Sequence, residues 1–332
     1  MFLRRKLTVM ATVALLSTSL LAGCSSSGEN SNGGSNGGGT ATAAEVLANK
    51  NARAAISMII DKQAYCDVIL NNGSIPTSTF TPKGLAFDNG KDYTDLTEGM
   101  GYEYNEEQAK ELWEKAKEEV GFDTVEMELL TFDHDTGKRT GEYIQSELSD
   151  LEGLTVKVSN LPFKQKLERE TNGEFDLAFS GWGADYPDPL TYLSTMQTGN
   201  QFSNQVGYNS EEYNKLIEEA MKLPITEGYA KYAEAEKLML EDGYLAPICQ
   251  KASAYLEKDY VSGIVNNSWG ADYTYTYADV DKDDKVLNLA TSSDIPTLDL
   301  SKATDQQSFQ TANTTMEGLT RIDEDGKVQP GV

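Results

Sequence analysis

The feature that most constrains the fold is an alternation of strand-like and helix-like segments between residues 125 and 182. Apolar segments at 125–132, 154–158 and 175–182 have the length and composition of strands. Two helical patterns, at about 141–150 and 162–171, separate them. Because parallel neighbours need a long crossover connection, usually a helix, this order favours an α/β fold with a mainly parallel sheet.

Further helices are predicted on both sides of this region. Asn105, with Gln108 three residues later, has the pattern of a helix N-terminus, and Gly121 is a typical stop. Thr226 is predicted to cap a later helix, and residues 286–290 read as a strand. Residues 213, 216, 217, 220 and 221 follow the spacing of one helical face, so we expect this segment to pack against the sheet.

The amino terminus has the order of a secretory signal. Arg4, Arg5 and Lys6 precede an apolar run over 7–20, and small residues lead to Cys24. This resembles a lipoprotein processing site, which predicts a signal peptide over 1–23 and a lipid on the sulfur of Cys24. The predicted location is the outer face of the cytoplasmic membrane, held by the lipid anchor. An ordinary secreted protein, in which Cys24 is incidental, is the alternative.

A Gly/Ser/Asn-rich segment follows the anchor. Residues 24–44 are predicted to be a flexible tether, because Ser, Gly and Asn cannot bury a core. We expect the folded protein to begin at about residue 45.

The net charge excludes several kinds of partner. The chain has 28 Lys and Arg residues against 53 Asp and Glu residues, so its formal charge is −25. Nucleic acid is therefore not an expected partner, because phosphate backbones are bound by clusters of Lys and Arg. A basic membrane-binding face is disfavoured for the same reason.

Few residues support catalysis or metal binding. His134 is the only histidine and lies in a turn-like Asp-His-Asp-Thr-Gly sequence, where a solvated structural role is expected. The acidic run at 279–285 lacks the glycine and the distal carboxylate of a calcium loop, since Asp284 and Ala290 occupy those positions. We expect neither an enzyme nor a cofactor. Cys66 and Cys249 lie in apolar contexts, so free thiols are favoured and a disulfide stays open.

The strongest candidate site follows the last apolar segment. Residues 180–189 combine two glycines, Trp182, Asp185 and two prolines. In open α/β sheets, ligands bind beyond the carboxyl ends of the strands, where a carboxylate could accept charge-assisted hydrogen bonds from an ammonium group. A Pro/Asp-rich turn with a tryptophan in the core is the alternative.

Three segments resemble a known family. They are residues 181–189 (Gly-Trp-Gly-Ala-Asp-Tyr-Pro-Asp-Pro), 51–62 and 294–300. They are similar to the extracellular oligopeptide-binding lipoproteins of ABC importers, solute-binding protein family 5. The resemblance implies a periplasmic-binding-protein-like class II fold, in which two lobes enclose a peptide, and it implies oligopeptides and ABC permease subunits as partners.

The resemblance also implies roles for individual residues. Asp185 would bind the free α-amino group of the peptide, with Trp182, Gly183 and Ala184 lining the adjacent pocket. The segment of Ser293, Asp294 and Ile295 would also lie beside the ligand.

The order of the segments departs from the family. Residues 45–280 resemble the C-terminal part of these proteins, and residues 281–332 resemble the N-terminal part, which comes first in the family. The long section between them has no counterpart here. We therefore expect mainly the second lobe plus a fragment of the first, as if two tandem gene copies had been fused, and we expect weakened peptide binding. A surface signalling-peptide receptor, or a non-transporting interaction lipoprotein, is the alternative.

Overall fold

The computed structural model describes residues 39–252, 254–291, 293–324 and 327–332. The predicted signal peptide, the predicted lipidation of Cys24 and residues 24–38 of the predicted tether lie outside the described residues. Within the described ranges, no helix is both long enough and apolar enough to cross a membrane.

Helices and short strands alternate along the described chain. The helices are α1 (Ala43–Leu47), α2 (Lys50–Met58), α3 (Lys62–Ala64), α4 (Glu106–Val120), α5 (Asp135–Leu148), α6 (Phe163–Thr171), α7 (Leu190–Leu193), α8 (Gln201–Val206), α9 (Glu211–Ala220), α10 (Ile225–Asp242) and α11 (Gln306–Thr315). A π-helical segment, Tyr65–Leu70, continues α3, and 3-10 turns lie at Tyr93–Leu96 and Ser194–Met196. The strands are β1 (Gly39–Ala41), β2 (Ile75–Pro76), β3 (Phe87–Asp88), β4 (Lys91–Asp92), β5 (Phe122–Phe132), β6 (Leu154–Leu161), β7 (Leu177–Ala178), β8 (Cys249–Gln250), β9 (Val261–Ser262), β10 (Val265–Asn266), β11 (Tyr273–Thr274), β12 (Asp279–Val280), β13 (Thr320–Ile322) and β14 (Val328–Pro330).

A parallel sheet organises the fold, as the alternation predicts. β5 is central and pairs with β6 from Val125 to Phe132. Along its other edge, β1 pairs with its start and β7 pairs with Leu129 and Leu130. Because all four strands run the same way, the carboxyl ends of β5, β6 and β7 lie at one edge of the sheet.

The helix before β5 shows how local sequence sets the packing. The Asn105 side chain caps α4 by accepting from the Gln108 amide, and Gly121, with φ of 83°, ends the helix in the left-handed region. Trp113 of α4 is fully buried, packs edge-on against Phe122 at 5.5 Å and donates from Nε1 to the Glu152 carbonyl. The helix is thereby fastened to the start of β5.

The described residues form two apolar cores, and the candidate loop contributes Ala184 and part of Trp182 to the second one. The first packs β5 and β6 against α2, α4 and α5; among its fully buried side chains are Trp113, Met127, Leu148 and Leu151. The second lies among α7, α9 and α10; its buried side chains include Leu193, Met196, Tyr213, Ile217 and Met239. Burial of this kind supplies the dominant favourable term in folding.

The C-terminal segment docks on the rest of the described chain. Gln310 of α11 donates from Nε2 to the Tyr273 carbonyl at 2.8 Å and accepts from the Tyr273 amide at 2.9 Å. Gln306 donates from Nε2 to the Gly270 carbonyl at 2.9 Å and to Asp272 at 3.0 Å. Residues 281–332 therefore contact β11 and the loop before it.

Two predicted boundaries need correction. Residues 39–44, assigned to the tether, are folded, because β1 pairs with β5 and Thr42 caps α1 through a reciprocal capping box with Glu45. The strand predicted over 175–182 is only Leu177–Ala178, extended by a bond from the Phe179 amide to the Leu130 carbonyl. The Asp176 side chain accepts from the Glu128 amide, and Ser180 turns into a side-chain cluster, so neither extends the strand.

Two other predicted elements are also wrong. Thr226 does not cap α10, which begins one residue earlier, after Pro224; the Thr226 hydroxyl donates to Asp88 instead. Residues 286–290 are not a strand, since they pair with none of the described strands. A strand needs a neighbouring ladder, and the apolar pattern alone does not supply one.

Candidate functional site

The candidate loop leaves the sheet through a buried polar cluster. Lys166 of α6 is buried, and its Nζ donates to Glu170 at 2.5 Å and to Ser180 at 2.7 Å. The Ser180 hydroxyl also donates to Glu170. The ammonium group lies 4.3 Å from the centroid of the Phe132 ring, at the end of β5. Burial lowers the pKa of Lys166, an effect that Glu170 opposes. This cluster fixes the position of the chain directly before Gly181.

The start of α7 shapes the rest of the loop. Trp182 donates from Nε1 to the Thr191 carbonyl at 2.9 Å, and the Tyr192 hydroxyl donates to the Trp182 carbonyl at 3.1 Å. The Asp185 amide donates to the Thr191 hydroxyl at 2.9 Å. These bonds hold the loop backbone in one conformation.

Trp182 is mainly a packing residue in this arrangement. Its half-buried ring contacts the second core and meets Phe202 edge-on at 5.4 Å. Its only polar atom is already bonded to the Thr191 carbonyl. The alternative of a tryptophan in the core therefore describes Trp182 well, and what it can offer a ligand is the uncovered part of the ring.

Asp185 has the properties expected of an ammonium acceptor. Its side chain is exposed, and no hydrogen bond or ion pair engages its carboxylate within the described residues. The surrounding protein removes part of its hydration, which raises the pKa of the carboxyl above its usual value. The carboxylate is thus held by its backbone while its oxygens stay available.

The C-terminal segment reaches this loop through α11. The Gly270 amide donates to the Ala184 carbonyl at 2.7 Å. A methyl group built on Gly183 would lie 3.9 Å from Oε1 of Gln306, whose Nε2 is bonded to the Gly270 carbonyl and to Asp272. Gln306 thus presents an acceptor oxygen beside Gly183, two residues from Asp185. Gly183 itself is exposed, and 3.9 Å is an ordinary van der Waals distance.

The segment of Ser293, Asp294 and Ile295 does not join this loop by polar contacts. Asp294 and Ile295 are exposed, and no hydrogen bond or ion pair in the described ranges links these residues to Trp182, Gly183, Ala184 or Asp185. The Ser293 hydroxyl is buried and has no hydrogen-bond partner among the described residues. Their predicted ligand contact stays a prediction.

Next to this segment lies an open cleft between α6 and the C-terminal part. It has a volume of about 270 Å³ and is lined by Lys164, Leu167, Glu168, Thr171, Asn172, Pro296, Thr297, Lys302, Thr304 and Asp305. Cations and carboxylates alternate around it, so its walls suit polar, mixed-charge groups.

Sequence reasoning missed Gln306. A helix start at Asp305, followed three residues later by Ser308, is the local signal for α11. His134 has the solvated structural role expected of it, since it is exposed and caps α5, with Nδ1 accepting from the Gly137 amide at 3.0 Å. Within the described part of the chain, no group of three His, Cys, Asp or Glu side chains could hold a metal ion.

Comparison with known proteins identifies the family. Residues 28–204 match the bacterial extracellular solute-binding proteins, family 5, middle region. The chain belongs to this family. This confirms the resemblance to solute-binding protein family 5 that the sequence motifs indicate. Members of this family are extracellular or periplasmic solute-binding proteins.

Relatives agree with this family. A dipeptide-binding protein of Lactococcus lactis subsp. cremoris is 31% identical over 238 residues, which are 70% of this chain and 43% of the relative. The Listeria monocytogenes OppA structure with bound peptide is 36% identical, with a TM-score of 0.67, over 71% of this chain and 46% of that protein. The pheromone receptor PrgZ, solved to show its mode of peptide binding, is 34% identical, with a TM-score of 0.64 over the same shares.

These structures confirm the predicted α/β fold of the periplasmic-binding-protein-like class over about 70% of this family 5 chain. The chain spans less than half the length of these three relatives.

Proposed function

We propose that this chain is a substrate-binding lipoprotein of an ABC importer that captures oligopeptides outside the cytoplasmic membrane, anchored by a lipid on Cys24. Asp185 binds the α-amino group of the peptide. The observation that carries this proposal is the Asp185 carboxylate, which is exposed, unpartnered among the described residues and backbone-fixed at the carboxyl edge of the sheet. Peptide binding by the family 5 relatives supports the same ligand class.

The local chemistry suits an ammonium group. An ammonium has three donors and no acceptor, so it needs several oxygens around it. Asp185 supplies a charged acceptor, and Gln306 Oε1 lies beside Gly183 as a neutral one. Trp182 and Ala184 flank Gly183 in the chain, but Ala184 is buried in the second core, so the uncovered part of the Trp182 ring is the apolar surface that the loop can offer.

The affinity of the chain on its own should be low. An exposed ion pair contributes about 0–1 kcal/mol, whereas micromolar binding requires about 8 kcal/mol. In the relatives, the additional length amounts to more than half of the protein. We infer that residues 39–332 by themselves supply the amine contact and bind a free peptide weakly.

Isothermal titration with a pool of tri- to pentapeptides tests this proposal. We expect weak binding, in the millimolar range, that becomes up to about fivefold weaker when the peptides are N-acetylated or when Asp185 is replaced by Asn. Asp123→Asn, at an exposed position at the start of β5 and away from the carboxyl edge of the sheet, is the matched control and should leave the titration unchanged. Submicromolar binding by the monomer would refute the expected low affinity, and equal binding of acetylated peptides would refute the role of Asp185.

A signalling-peptide receptor is the second candidate, favoured by the similarity to PrgZ. Affinity purification from membranes separates the two functions. Recovery of permease subunits supports import, whereas recovery of another surface protein in their place supports the receptor.

A further inference from the structure

Two cysteines that are distant in sequence meet at one place in the fold. Cys66 lies in the π-helical segment and is only 2% exposed, whereas Cys249 begins β8 and is half-buried. β8 pairs with β2, which places Cys249 opposite Pro76. Each thiol lies close enough to the other to perturb its pKa.

The connection between the two cysteines is well anchored. Asn72 donates from Nδ2 to the Ala252 carbonyl at 3.2 Å, and the Ala252 amide donates to the Ser74 hydroxyl at 3.0 Å. The Thr77 amide donates to the Ile248 carbonyl at 3.1 Å. These bonds hold β8 against the loop that follows the π-helical segment, so the thiol pair is built into the backbone arrangement.

We propose that Cys66 and Cys249 form a reversible intramolecular disulfide when the protein meets a small disulfide oxidant such as oxidised glutathione. Cys249 reacts first, because it is the accessible thiol. Its thiolate attacks one sulfur of the oxidant, breaks that S–S bond and releases one glutathione thiolate. Cys66 then loses its proton to solvent and attacks Sγ of Cys249, which releases the second glutathione. Two protein thiols are oxidised, and one molecule of oxidised glutathione is reduced to two thiols.

The electrostatics of the pair set the rate and its pH dependence. Burial raises the pKa of both thiols, that of Cys249 to about 11, while the neighbouring Cys249 thiol lowers the pKa of Cys66. The thiolate is the reactive form, so oxidation should be slow at neutral pH. Its rate should increase about tenfold for each unit by which the pH is raised toward 11.

The disulfide would join the π-helical segment covalently to β8. A crosslink stabilises mainly by restricting the unfolded chain, and more so for a long loop. We expect oxidation to raise the melting temperature by roughly 5–10 °C.

Mass spectrometry of the full chain tests the proposal. Every sample carries Cys24→Ser, so that only Cys66 and Cys249 react with oxidised glutathione at pH 8.5. The expected product has lost two hydrogens, and its proteolytic map joins residues 66 and 249. Cys66→Ser should stop at a stable glutathione adduct on Cys249, and Cys249→Ser should stay unmodified.

Two results would overturn the proposal. One is a persistent glutathione adduct on Cys249 in the protein that retains both cysteines. The other is survival of the free dithiol under conditions in which the urea-unfolded chain oxidises fully. Thermal melts of the reduced samples show whether each variant is folded, and the protein with both cysteines decides the question if a variant is not.

Discussion

Replacing Lys166 by Met should be strongly destabilising, because it would leave the Glu170 carboxylate in the protein interior without its cation. The Lys166 side chain is fully buried and that of Glu170 is 7% exposed. Removing one member of a buried ion pair costs about 3–5 kcal/mol, since the remaining charge keeps its desolvation penalty. We therefore expect Lys166→Met to lower the free energy of unfolding by about 3–5 kcal/mol.

The double variant separates the loss of the ion-pair attraction from the cost of leaving the Glu170 carboxylate buried without a cation. Lys166→Met with Glu170→Met removes both charges and leaves only the Ser180 hydroxyl without its partners, which costs about 1 kcal/mol. The double variant should thus be more stable than the single variant by about 2–4 kcal/mol.

Urea unfolding followed by circular dichroism gives these values. The matched control is Lys215 with Glu219, a pair with the same i,i+4 spacing whose side chains are 76% and 43% exposed. Lys215→Met should change the free energy of unfolding by no more than about 0.5 kcal/mol. The reasoning is refuted if Lys166→Met costs no more than Lys215→Met, or if the double variant is less stable than Lys166→Met.

Three further predictions concern packing, capping and protonation. Leu148→Ala, in the first core, should lower the free energy of unfolding in urea by about 2–5 kcal/mol, and the exposed Leu298→Ala by under about 0.5 kcal/mol; equal losses would contradict the packing. Thr42→Ala should cost about 1 kcal/mol in thermal melting and Thr42→Ser much less, because Ser retains the capping oxygen. The Asp185 carboxyl should titrate above 3.8 in NMR, so binding of a peptide amine should be lost on acidification at a higher pH than an ordinary Asp would require; a midpoint below 3.8 would contradict the partial desolvation.

The sheet could be predicted from sequence because its pattern is local. β5 and β6 each carry an apolar run of strand length, and helices of crossover length separate the strands. The end of β7 could not be predicted, because it depends on the hydrogen bonds that the Ser180 side chain forms with Lys166 and Glu170. That contact forms only after α6 has packed on the sheet.

For the candidate site, the loop could be predicted from the sequence, but the approach of Gln306 could not. The glycines, prolines and Asp185 mark the loop after β7 in the sequence itself. Gln306 is distant in sequence, and its approach to Gly183 depends on how α11 docks on β11. A local sequence pattern does not indicate such a contact between segments that are distant in the chain.

The pairing of β1 with β5 has a practical consequence for anyone who shortens this protein. A chain trimmed to start at residue 45 would lose both β1 and the capping threonine of α1. The amide and carbonyl groups of residues 122–125 that face β1 would then be exposed to solvent. On this edge of β5, only the short β7 would remain paired, at Leu129 and Leu130. An exposed strand edge of this kind can pair with another molecule. The shortened protein should therefore precipitate or form oligomers more readily than one that begins at or before residue 39.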